Sequence, residues 1–223
     1  MLTVILSAGK STRLTHEGFP HQKCLLKMPN GQTLLEWQLK TVPTNGKILY
    51  VSRMEYQKDE LSTIIKVKAK HDLRAIWIKK VTRGPLDGLW HVRKFLNIDE
   101  PLLILYNDEL IEPETMSGFL GTCESGNFDS AVVCFENPDE RFSRVPGVKG
   151  LACGCTYYFK SGRAFVKAMK GMPRKAENGV PDIVYSFASF LPFYIGVNEY
   201  AELGTAREYK NWMAEQGHPV GEW

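Results

Sequence analysis

Short apolar runs alternate along the first half of the chain with longer stretches of helical periodicity. Residues 2–6 (LTVIL), 47–52 (KILYVS), 75–78 and 101–106 (PLLILY) read as strands. Between them, residues 34–39 after Thr33, the set Leu61, Ile64, Ile65 and Val67, and residues 89–96 place apolar side chains three or four apart, the spacing of a helix face. The strands are apolar almost throughout rather than alternating, as expected when both faces of a sheet are covered. Strands separated by helices of this length predict βαβ units and an α/β fold: a mostly parallel, Rossmann-like central sheet with helices on both faces. The second half differs. Residues 129–135 (DSAVVCF), 141–145 and 151–159 read as strands in quick succession, followed by a helix over 161–169 with Ser161 as its cap. A further helix over 182–190, a last strand over 193–197 and a helix over 205–215 complete the pattern. No linker separates the halves, so residues 1–223 are expected to form one domain, its sheet extended by mixed strands in the C-terminal half.

Composition sharpens this picture mainly by exclusion. A chain of 223 residues with 43% hydrophobic and 24% charged positions buries a real core, which excludes intrinsic disorder for its bulk. Lys plus Arg number 28 against 25 Asp plus Glu, a net charge of +3 that is too weak to suggest a nucleic-acid surface. No apolar run approaches the ~20 residues of a membrane span. The first residues lack the basic flank of an export signal, so they are expected to form a buried strand in a cytoplasmic protein. The five cysteines contain no CxxC pair. Cys153 and Cys155 alternate on one strand, but His71, His91 and His218 stand at no zinc-like spacing from them. Reduced, core-filling thiols are expected.

The chemistry is concentrated first in Val4-Ile5-Leu6-Ser7-Ala8-Gly9-Lys10-Ser11-Thr12-Arg13-Leu14. A strand that ends in such a small-residue turn presents backbone N–H groups at the carboxyl edge of a parallel sheet, a cradle for phosphate oxygens. Arg13 adds a guanidinium fork that grips two oxygens at once. A triphosphatase P-loop is excluded despite Gly9-Lys10-Ser11-Thr12, because Val4 stands where that motif needs its first glycine. Phe19-Pro20-His21-Gln22-Lys23-Cys24-Leu25-Leu26 follows, then the amphipathic stretch Thr33-Leu34-Leu35-Glu36-Trp37-Gln38-Leu39.

In this order of strand, A-G-x-x-T-R-L loop, proline, lysine and helix, the chain resembles the sugar-phosphate nucleotidylyltransferases, whose fold is of the nucleotide-diphospho-sugar transferase type. The resemblance implies that Arg13 holds a triphosphate and that Lys23 sits by its α-phosphate. Ser7, Ala8, Gly9, Lys10, Ser11 and Thr12 would line the nucleotide. Two departures are visible: Ser11 replaces the family's second loop glycine, and His21 and Gln22 separate Pro20 from Lys23.

The remaining candidates follow the same frame. Asp108 closes the fourth strand, where open α/β sheets bind ligands, and suits magnesium, which takes one or two carboxylates with substrate phosphates and water. The neighbouring Asn107 is counted with the substrate-binding residues, and Glu109 is expected to be solvated. Tyr200-Ala201-Glu202-Leu203-Gly204-Thr205 resembles the family's acidic-x-G-T-P segment, which makes Glu202 a second metal carboxylate, with Thr205 as a helix cap. Thr82, Gly84 and Gly88 resemble the turn that packs against the nucleoside. Gly154 resembles the strand that faces the acceptor, with Glu177, the stretch 178–182 and Lys149 nearby.

The expected reaction is magnesium-dependent transfer of a nucleoside monophosphate to a phosphorylated sugar or small alcohol with release of pyrophosphate. The attacking phosphate is already an anion, so no catalytic histidine is needed. The resemblance is compatible with several bases and phosphorylated acceptors and with a homo-oligomer. Two alternatives are a metal-dependent glycosyltransferase, which is expected to carry a D-x-D pair absent from Asn107-Asp108-Glu109, and a non-catalytic nucleotide-sugar-binding regulator, for which a magnesium carboxylate has less use.

Overall fold

The computed structural model describes residues 1–11, 14, 16–17, 19, 22–136, 145–146, 150–172 and 179–218. The four apolar runs of the first half form strands β1 (Leu2–Ser7), β2 (Lys47–Arg53), β3 (Leu73–Ile78) and β4 (Leu102–Tyr106). They pair in parallel in the order β3-β2-β1-β4. β1 is buried at every position and β4 at all but its last, which is why both read as uninterrupted apolar runs. The sheet then continues through β7 (Leu151–Phe159), β6 (Ser130–Glu136) and β8 (Phe190–Tyr194) to seven strands. β7 runs antiparallel to both of its neighbours, and β8 pairs in parallel with β6.

The helices lie on both faces. Helices α1 (Leu34–Thr41), α2 (Gln57–Lys68) and α4 (Pro113–Ser125) pack with Ile5, Tyr50 and Leu103 on one side. Helices α3 (Pro85–Leu96), α5 (Gly162–Gly171) and α6 (Val180–Tyr185) pack with Val4, Val51 and Ile104 on the other. A third apolar cluster joins Leu14, Phe19, Leu26 and Met28 to α7 (Ala206–Glu215), so the N-terminal and C-terminal segments meet. β5 (Glu109–Ile111) and β9 (Tyr200–Glu202) form a small antiparallel ladder beside the main sheet.

Caps fix several boundaries. Thr33 accepts from the Glu36 N–H while Glu36 accepts from the Thr33 N–H, a reciprocal box that starts α1. Thr205 and Glu208 do the same for α7, and Ser161 caps α5. Three expectations need correction. The helix expected over 182–190 spans Val180–Tyr185 instead, because Asp182 caps its start by accepting from the Gly179 N–H at 2.6 Å and Phe190 already pairs with Ser130. The last strand is therefore Phe190–Tyr194, and Val197 falls in a 3-10 turn. In α2 the buried stripe is Glu60, Ile64 and Val67, whereas Leu61 and Ile65 are 43% and 61% exposed. The strand expected over 141–145 lies outside the described residues except for Val145, which is buried and in no strand. α4 and β5 had no sequence-based expectation, although Met116, Phe119, Leu120 and Cys123 repeat at helical spacing. No described helix is long and apolar enough to cross a membrane.

Candidate active site

The loops that follow β1 and β4 leave the sheet side by side at its carboxyl end, where parallel α/β sheets place ligands. Ser7 ends β1 and is buried, and its Oγ accepts from Asn107 Nδ2 at 2.6 Å. The Ala8 carbonyl accepts from Thr82 Oγ1 at 3.1 Å, which draws the segment after β3 over the first loop. Gly9 and Lys10 are exposed, and the Lys10 carbonyl accepts from the Tyr56 hydroxyl at 3.0 Å. Ser11 adopts φ 51°, the left-handed region that favours glycine. A non-glycine residue held in that region carries a steric cost of roughly 1 kcal/mol.

The two loops are joined by charge. Lys23 begins a 3-10 turn, Lys23–Leu25, and its Nζ lies 2.6 Å from Asp108 Oδ2 although the residues are 85 positions apart in sequence. Both side chains are largely covered, at 10% and 15% exposure, so this pair is not an ordinary surface salt bridge. Gln38 of α1 fixes the acidic loop from below, donating through Nε2 to the carbonyls of Tyr106 and Glu109 at 2.7 and 2.9 Å.

Glu202 comes to the same place through the small ladder. It is the register partner of Glu109, and the Leu203 N–H donates to the Asp108 carbonyl at 2.7 Å. The Cys155 thiol registers this gathering of acids: burial, then the charges of Glu109, Asp108 and Glu202, push its pKa well up. The expectation of a solvated Glu109 is overturned. The residue is 4% exposed, and its carboxylate accepts from the Cys155 N–H at 2.7 and 2.8 Å and from the Tyr200 hydroxyl at 2.6 Å. Burial and the adjacent Asp108 push its pKa up to about 8 against the pull of those bonds.

The glycine candidates sit as follows. Gly84 caps α3 in extended conformation. A Cβ on Gly88 would meet Leu6 Cδ1 at 3.1 Å, so that glycine lets α3 close on the end of β1. A Cβ on Gly154 would come 3.3 Å from the Val133 carbonyl and 3.5 Å from the Tyr200 ring, so β7 is kept thin beneath that ring. Arg13, Thr12, Lys149, Glu177 and Asn178 lie outside the described residues. All five cysteines are free thiols. Among the described residues, no group of three or more His, Cys, Asp or Glu is arranged to hold a metal ion. Gln38, Glu60 and Glu109 are buried polar side chains tied to this end of the sheet to which sequence reasoning gave no site role. Gln38 and Glu60 have a signal in sequence only as polar residues within apolar helix stripes, whereas Glu109 adjoins the candidate metal carboxylate Asp108.

Comparison with known proteins agrees with this architecture. A candidate glucose-1-phosphate thymidylyltransferase from Bacillus anthracis superposes with a TM-score of 0.80 at 14% identity, covering 100% of this chain and 98% of its own. A nucleoside-diphosphate-sugar pyrophosphorylase from Vibrio cholerae gives a TM-score of 0.73 at 15% identity, with 96% and 100% coverage. An inositol-1-phosphate CTP transferase from T. maritima gives 0.75 at 13%, with 96% and 93% coverage. At these identities the likeness establishes the fold. A search of the curated proteins found no match to the sequence. The model of the MobA-like NTP transferase domain matches residues 3–220, and the chain therefore belongs to that family of nucleotidyltransferases.

Proposed function

We propose that this chain, acting as one domain, transfers a nucleoside monophosphate from a nucleoside triphosphate to a phosphorylated sugar or small alcohol. The Lys23–Asp108 pair carries the reading: a covered cation and anion, brought together from distant parts of the chain beside the loop after β1. A phosphate oxygen of the acceptor forms a bond to the α-phosphorus while the bond to pyrophosphate breaks. The attacking oxygen is already anionic, so the protein's task is to hold two repelling anions in line and to stabilise the charge that shifts between them. In this reading Lys23 turns from Asp108 to the α-phosphoryl oxygens, and Arg13 stabilises the departing pyrophosphate. The N–H groups of residues 7–12, with Thr82, Gly84 and Gly88, line the nucleotide. Asn107, Gly154 and Glu177 face the acceptor.

Asp108 and Glu202 fit magnesium by the chemistry of their donors, two hard carboxylates on adjoining segments, with substrate phosphates and water completing the shell. When bound, the ion neutralises charge between phosphates. The five free thiols support a reducing, cytoplasmic setting. The named solved structures act on different acceptors, so the substrate is best found by a pyrophosphate-release screen. Four triphosphates are tested against a panel of sugar and alcohol phosphates with magnesium present. Release that requires one triphosphate and one phosphorylated acceptor together is the expected result. Release with triphosphate alone, or with none of the pairs, would contradict the proposal.

A further inference from the structure

Glu60 is a carboxylate that the transfer mechanism does not use, yet it is 1% exposed. Its neighbours Ile64 and Val67 show what the α2 face needs in order to pack: an apolar side chain at position 60 would continue their stripe. A buried carboxylate there carries a desolvation cost that packing alone does not explain. Its partners do. Glu60 Oε1 accepts from Ser52 Oγ at 2.8 Å and from the Cys24 thiol at 3.5 Å, while Oε2 accepts from Trp77 Nε1 at 3.3 Å. Cys24 in turn accepts from the Tyr50 hydroxyl at 3.2 Å.

These donors come from β2, β3 and the Lys23–Leu25 turn. Ser7, Ser52 and Trp77 stand in one row across β1, β2 and β3, at the carboxyl ends of the three strands. Ser52 Oγ also lies 3.4 Å from the Ser7 carbonyl, the last of β1 before the first loop. Cys24 is the residue next to Lys23 in the 3-10 turn. Glu60 thus touches the strand ends on one side and the Lys23 turn on the other. Burial pushes the Glu60 carboxyl up, and the bonds from Ser52, Tyr50, Trp77 and Cys24 pull it back.

We infer that Glu60 is a positioning residue for the transfer reaction: through Cys24 and Ser52 it ties the Lys23–Leu25 turn to the ends of β1 and β2, and so sets where the Lys23 ammonium stands opposite Asp108. The inference rests on the role proposed for Lys23, but the shielding of Lys23 can be read without any reaction. In the folded parent, acetic anhydride should label Lys23 slowly against exposed Lys27, as counted by mass spectrometry. Glu60→Leu keeps the apolar packing and removes the tie, and should raise Lys23 labelling relative to Lys27 by roughly five-fold, the scale of one lost net hydrogen bond. Glu60→Gln, set with its carbonyl accepting from Trp77 Nε1 and its amide donating toward Ser52 Oγ and the Cys24 sulfur, keeps the tie and should label like the parent. If Glu60→Leu does not fold, Cys24→Ala cuts the same tie and takes its place.

Turnover supplies the second readout. Glu60→Leu should lower kcat by roughly 10- to 100-fold, as misplacing a catalytic group does. On a Lys23→Ala background the same change should cost under about two-fold, because the two residues act as one unit. Unchanged Lys23 labelling in both Glu60→Leu and Cys24→Ala would overturn the inference, as would equal losses of kcat with and without Lys23. An absence of turnover in the parent would count against the proposed function, while the labelling result would still decide the role of Glu60.

Discussion

Glu60 and Glu109 are both buried carboxylates, and they flank the same ion pair from opposite sides. Glu60 reaches it from α2, beneath β2 and β3, and binds the turn that carries Lys23. Glu109 reaches it from β5 and binds β7 through the Cys155 N–H and β9 through the Tyr200 hydroxyl. Burial raises both pKa values, but their partners differ in kind. Among the described residues Glu60 is held by side chains, whereas Glu109 accepts from a main-chain N–H as well. The lesson is a division of labour. Glu60 adjusts where a movable side chain stands, while Glu109 locks the small ladder that brings Glu202 to Asp108 onto the main sheet.

That contrast predicts that Glu109 matters more to the fold. Glu109→Ala strands the Cys155 N–H and the Tyr200 hydroxyl in the interior, which should cost roughly 1–3 kcal/mol. At about 2–4 °C per kcal/mol for a chain of this size, the loss is readable by thermal unfolding. Glu60→Leu should shift the melting temperature less than Glu109→Ala does. The reverse order would break the comparison.

A smaller effect comes from Glu36, a carboxylate whose pKa moves in the opposite direction. Burial works to raise it, but the Lys66 ammonium at 2.6 Å and the Thr33 N–H and hydroxyl outweigh this and hold it at about 2. A carboxyl lowered on folding adds stability that is complete above its unfolded value near 4.5 and is lost as pH falls toward 2. Melting curves of the parent and Glu36→Gln should therefore differ most above pH ~4.5 and converge below it. A constant gap across that range would show that the Lys66 pair and cap contribute nothing through charge.

The fold was legible where burial is complete. β1 and β4 are covered on both faces, so their apolar runs identify them without any knowledge of partners. Legibility fades where one run serves two elements. The aromatic and aliphatic stretch from Ile183 to Ile195 is helix at its start and edge strand at its end, and an edge position tolerates Pro192. The site divides in the same way. Lys23 and Asp108 stand next to motif residues in loops, so their chemistry is visible in sequence. Gln38, Glu60 and Glu109 show their importance only once helix phase and ladder register are known, since Glu60 follows Lys58 and Asp59 and Glu109 follows Asp108 like ordinary surface acids. The phase of α2 is ambiguous in the sequence because Leu61 and Ile65 mimic a buried stripe while Glu60 occupies the real one.

The central claim is that the Lys23 ammonium, held against Asp108 in the free protein, stabilises charge on the transferred phosphoryl group. It is tested most directly by kcat for pyrophosphate release from Lys23→Ala at saturating substrates, with the melting temperature measured alongside. The account predicts a fall of roughly 10²- to 10³-fold, as for loss of one preorganised charge contact, with the fold retained. A folded Lys23→Ala variant that turns over within a few-fold of the parent would contradict it.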